Sequence, residues 1–63
     1  MRWVVYRVLV DDAGEIRLFV VEEVSDESAA RWSTVVADAK MYPDDASAAA
    51  AALRLDGAVM RWT

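Results

Sequence analysis

Two runs rich in β-branched and aromatic residues, Arg2 to Val10 and Glu15 to Val24, are separated only by Asp11-Asp12-Ala13-Gly14, and no other feature of the chain restricts its fold as much. Val, Ile, Tyr, Phe and Trp suit a pleated, half-buried surface. Asp at the head of a turn and Gly at its left-handed end reverse the chain. The pattern predicts a β-hairpin with Asp12 to Gly14 as a three-residue loop and a bulge at Gly14, so that Asp11 faces Glu15. Opposed residues share a face of the sheet. In this register Tyr6 opposes Val20 and Val8 opposes Leu18, and one face carries Val4, Tyr6, Val8, Val10, Ile16, Leu18 and Val20. The other carries Trp3, Val5, Arg7, Leu9, Arg17, Phe19 and Val21.

After the polar turn Ser25-Asp26-Glu27-Ser28, the stretch Ala29 to Tyr42 supports two readings. In one, Ser25 or Asp26 caps a long helix with Ala29, Trp32, Val35, Val36 and Ala39 at helical spacing. In the other, Ala30 to Ser33 is a short third strand, Thr34 caps one helical turn from Val35 to Ala39, and Lys40 to Tyr42 is extended. Ser33-Thr34-Val35-Val36 is a poor helix interior, which favours the second. Pro43 ends that segment. Asp44 is a natural N-cap for a helix to about Leu55, Asp45 complements its dipole, and Asp56-Gly57 stops it. Ala48, Ala51, Ala52 and Leu55 form its apolar stripe. Ala58 to Trp62 reads as a closing strand. Residues 1–63 therefore form a single α+β domain, a small antiparallel sheet with one Ala-rich helix packed on its even-numbered hairpin face.

The chain has 63 residues, no Cys and no His. A domain this short buries roughly 60% of its unfolded surface, so its stability margin is thin. Disulfides, thiolate chemistry, imidazole bases and the commonest zinc ligands are ruled out. The carboxylates group at turns and caps, and neither glycine lies in a phosphate-binding loop pattern. These features predict no enzymatic activity, no metal and no cofactor. No apolar run is long enough to span a bilayer, and Met1-Arg2-Trp3 leads straight into a strand pattern without a cleavable signal, so a cytoplasmic location is expected. A net charge of −4 counts against nucleic acid and anionic membrane as partners.

From Arg31 to Trp62 the order of signals is Trp32, a capped turn, Ala39-Lys40-Met41-Tyr42, a Pro-Asp cap, an alanine-rich helix, Gly57 and a final apolar strand. This pattern resembles small phage and prophage proteins of unassigned function, anti-CRISPR inhibitors among them. The resemblance implies a short sheet carrying one helix, and a protein that works by occupying a host protein's surface. It implies no particular functional residue.

The residues themselves point to binding without chemistry. A single helix covers one side of a sheet, which leaves Trp3, Val5, Arg7, Arg17, Phe19 and Val21 as candidate interface residues on the other. That face is covered by the Ala29 to Tyr42 segment, by a second copy in a homodimer, by a host protein, or by single-stranded nucleic acid stacked on its aromatics. Asp11, Asp12, Glu22, Glu23, Asp26 and Glu27 are acidic contact candidates, as local mimics of phosphates, set against their ordinary use in turns and for solubility.

Overall fold

The computed structural model describes residues 2–24 and 29–62; the expected turn Ser25-Asp26-Glu27-Ser28 lies outside them. Strands β1 (Arg2–Asp11) and β2 (Gly14–Val24) form the hairpin, followed by β3 (Ala29–Ser33), a 3-10 turn at Val36–Asp38, helix α1 (Asp45–Leu55) and β4 (Ala58–Trp62). The four strands make one antiparallel sheet in the order β3-β2-β1-β4, and the chain is α+β.

The hairpin register differs from the expected one by one residue. Asp11 pairs with Gly14 and Tyr6 with Phe19, so the loop is two residues, Asp12 and Ala13, without a bulge. Asp11 Oδ1 accepts the Ala13 N–H over 2.8 Å, closing the turn locally, and Gly14 takes φ +123° inside the strand rather than in the loop. Tyr6 therefore does not oppose Val20, nor Val8 Leu18. One sheet face instead carries Trp3, Val5, Arg7 and Leu9 with Ile16, Leu18 and Val20. The opposite face carries Val4, Tyr6, Val8 and Val10 with Arg17 and Phe19.

Beyond Tyr6 and Phe19 the two hairpin strands part. β1 continues against β4, and β2 against β3 with an irregularity between Val20 and Glu22. The segment 39–42 fills the fork. Trp3 and Tyr42 exchange main-chain hydrogen bonds of 3.0 and 2.7 Å, and the Lys40 N–H donates to the Val20 carbonyl over 2.8 Å. Side chains along this extended segment alternate, Ala39 and Met41 toward one side of the sheet and Tyr42 toward the other.

Both faces are consequently covered at this end. α1 lays Ala48, Ala51, Ala52 and Leu55 on Val5, Val20 and Tyr42, flanked by Trp3, Trp32 and Val59. The helix thus sits over odd-numbered β1 residues and even-numbered β2 residues, not over the even-numbered face of both. On the opposite side Val4, Phe19 and Ala39 form a second small core with Tyr6, Val36, Met41, Met60 and Trp62. The segment after β3 follows the strand-and-turn reading, with one local difference. Thr34 caps nothing; the Ser33 hydroxyl accepts the Val35 N–H over 3.0 Å, and the 3-10 turn has no side-chain cap.

Helix α1 begins as its sequence predicts. Asp44 accepts the Ser47 N–H over 2.7 Å, and the short main-chain interaction holds its carboxyl below the usual range. At the other end the left-handed residue is Asp56, with φ 55° and ψ 46°, rather than Gly57. Gly57 is needed for a different reason. A Cβ there would sit 2.9 Å from the Tyr6 carbonyl oxygen and 3.0 Å from Val5 Cγ1, where β4 turns in against β1.

Candidate protein-binding surface

β4 reaches along β1 only to Tyr6, and β3 reaches along β2 only to Phe19. The remainder of the hairpin, Arg7–Asp11 with Gly14–Leu18, continues as a two-stranded ribbon past both cores. Five of its ten residues are apolar, because the strand-forming run does not stop where the sheet cover stops. Val8, Leu9, Val10 and Ile16 are exposed, Leu9 at 47% and Val10 at 75%. The other exposed large apolar residues among those described, Val24, Val35 and Leu53, come from separate parts of the fold. A ribbon of two strands is marginal by itself in water, and clustered apolar exposure on a small domain marks an interaction surface.

Two arginines anchor the base of the ribbon, one on each face. Arg7 lies 4.5 Å over the Trp32 ring and donates to the Leu55 and Asp56 carbonyls, satisfying main-chain groups left free where α1 ends. Arg17 lies 4.9 Å over the Tyr6 ring with Met60 Sδ 4.0 Å from its guanidinium. Tyr6 and Phe19 pack as a tilted pair with centroids 6.5 Å apart.

A second polar cluster lies beside α1. Glu23 on β2 accepts from Lys40 Nζ and the Tyr42 hydroxyl, each over 3.0 Å, and from Arg54 of α1. Partial burial pushes the Glu23 carboxyl up, but donation from Arg54, Lys40 and Tyr42 outweighs it and holds the group at about 2. Burial and donation to that carboxylate push the Tyr42 hydroxyl well above the usual tyrosine range. A carboxylate this firmly anionic is a poor proton acceptor at neutral pH; the cluster ties β2, the fork segment and α1 together. Nothing in the spacing of Glu23, Lys40, Tyr42 and Arg54 links them, because they come from three elements that meet only in the folded chain.

The six apolar and arginine candidates do not share a face. Trp3, Val5 and Arg7 lie on the side of α1, whereas Arg17 and Phe19 lie on the other and Val21 sits at the β2 irregularity. Val5 and Phe19 are core residues, with 0% and 7% exposure, and cannot contact a partner in this fold. The Ala29 to Tyr42 segment supplies the cover over Phe19, through Val36, Ala39 and Met41. Among the acidic candidates Asp11 closes the hairpin turn, Asp12 is exposed in it, Glu22 pairs with Arg31 at 3.5 Å and Glu23 anchors the cluster just described. Asp26 and Glu27 lie outside the described residues. Leu9, Val8, Val10 and Ile16 were not singled out by their sequence, since in a full sheet the same residues would be interior. No helix among the described residues is long and apolar enough to cross a membrane.

Comparison with known proteins returned no matching family model, no matching curated protein and no matching solved structure.

Proposed function

We propose that this chain is a non-catalytic protein-binding module that engages its partner through the distal hairpin, residues 7–18. The observation that supports this most is the concentration of Val8, Leu9, Val10 and Ile16 in water on a ribbon that projects past both cores. Such a surface gains free energy by burial against another protein, about 25 cal/mol per Å² of apolar area. The resemblance to small phage and prophage proteins suggests the class of partner, a host protein in the cytoplasm whose surface is occupied, in the manner of an anti-CRISPR inhibitor. Self-association is the second reading, favoured by the outer edge of β1 at Val8 and Val10, beside which no strand among the described residues lies. A protein partner fits better than single-stranded nucleic acid: the rings of Tyr6 and Trp32, on which a base would stack, already carry Arg17 and Arg7, and the net charge is −4.

A photo-cross-linking residue placed at Leu9 or Ile16, in cells of the source, is expected to yield protein adducts that the same residue at Leu53 does not. Absence of any adduct at both positions, including one between two copies of the chain, overturns the proposal.

A further inference from the structure

The two arginines at the base of the ribbon are used differently. Arg7, on the side of α1, gives its donors to the Leu55 and Asp56 carbonyls. Arg17, on the other side, is held by groups that leave its donors without an oxygen. Its guanidinium carbon lies 4.9 Å over the Tyr6 ring, and its polar contact among the described residues is Met60 Sδ at 4.0 Å, a weak acceptor. The ion pairs of the described residues join Arg31 to Glu22, and Lys40 and Arg54 to Glu23; none includes Arg17, although Glu15 is its neighbour on that face of β2. Apolar surface surrounds the guanidinium. Val8 stands opposite Arg17 across the strand pair with Tyr6 and Val10 on either side of it, Val8 and Val10 exposed, Tyr6 and Met60 half-buried. A guanidinium stacked on a ring has little side-chain freedom left to lose, and its planar fork matches a carboxylate in bidentate geometry.

We infer that the partner presents a carboxylate side chain, Asp or Glu, to Arg17 and seats apolar groups on Val8, Val10 and Met60 around it. The inference rests on the protein-binding role proposed for the hairpin and names the chemistry of the partner, an acidic residue set in an apolar surface. Arginine, tyrosine and methionine are the residue types concentrated at the centres of protein interfaces. An ion pair left in water contributes little, so the apolar strip supplies the affinity, and the acid, desolvated beneath that cover, selects the partner. A phosphate group fits less well. It carries close to two negative charges and is held by clusters of arginines, whereas this face offers it one ring-stacked guanidinium with the Glu15 carboxylate next along the strand.

The test is selection of a displayed random-peptide library on the full chain, with the binding site of each synthesised peptide mapped by amide chemical shifts. Peptides that shift Val8, Val10 and Arg17 are expected to share one Asp or Glu flanked by apolar residues. Arg17→Gln should weaken them by about tenfold or more, and Arg17→Lys, which keeps the charge but loses the planar fork, by less. Arg31→Gln, at an exposed arginine already paired with Glu22, should leave the affinity unchanged. Replacing the peptide's acid by its amide should cost the wild-type chain the same factor and the Arg17→Gln chain almost nothing, a coupling that loss of folding in the variant would not produce. Hairpin-binding peptides of neutral or basic composition, or an acid whose loss is not coupled to Arg17, overturn the inference and leave the binding role standing. A selection that yields no peptide bound at the hairpin overturns the inference and counts against the binding role as well.

Discussion

The phenol of Tyr42 donates to Glu23 Oε2 over 3.0 Å, joining the segment that fills the sheet fork to the strand on one side of it. Lys40, two residues earlier, reaches the same oxygen, while Arg54 brings α1 to the other. Three parts of the chain thus meet at one carboxylate, and its protonation state bears on how they are held together.

Stability is expected to fall in acid because of Glu23. Its folded value of about 2 lies below the ordinary 4.5, so the stabilisation is complete above roughly pH 5 and is lost as pH falls from there toward 2. Lys40 and Arg54 are about half exposed, which weakens the pairing by screening, and on the order of 1 to 2 kcal/mol is at stake. Thermal unfolding at pH 6, 4, 3 and 2 measures it. Glu23→Gln should lower the Tm at pH 6 and flatten the acid limb.

Phe19→Ala is expected to unfold the domain or bring it to the edge of unfolding. The side chain fills the smaller core beneath Ala39 and beside Tyr6, and removing a buried Phe costs about 3 to 5 kcal/mol, comparable to the total margin of a chain this short. Circular dichroism during urea unfolding reads the loss; retention of the wild-type midpoint would show that this face is not core.

Gly57→Ala should destabilise by about 1 to 3 kcal/mol, although φ at that position is not the reason. The added methyl meets the Tyr6 carbonyl oxygen at 2.9 Å, and main chain cannot swing aside as a flexible side chain can. The expected signature is a lower urea midpoint with weakened amide protection along β4.

Asp56→Gly is expected to act in the opposite direction. Asp56 is the one non-glycine residue of those described with positive φ, and Gly relieves the left-handed strain at a helix end, for a gain of about 0.5 to 1 kcal/mol. The Asp56 contact to Arg7 is made by the main-chain carbonyl and survives the change. A rise in Tm of a few degrees checks it.

Local chemistry alone determined the hairpin, the helix from its Asp44 cap to its stop at Asp56-Gly57, the buried stripe Ala48, Ala51, Ala52 and Leu55, and the closing strand, because each depends on residues within one or two turns of each other. The α+β class followed from their order. What only the tertiary structure decided was the side of the sheet each hairpin residue occupies. Both candidate registers place apolar residues on both faces, so alternation could not separate them, and a one-residue shift moved Val5 under the helix and Phe19 into a second core. The fork in the sheet, with Lys40 and Tyr42 bonded to strands that had parted, depends on main-chain groups whose partners lie far away along the chain. The exposed ribbon was hidden for the same reason: strand propensity shows that Val8, Leu9, Val10 and Ile16 belong to strands, but only where β3 and β4 end shows that nothing in the described fold covers them.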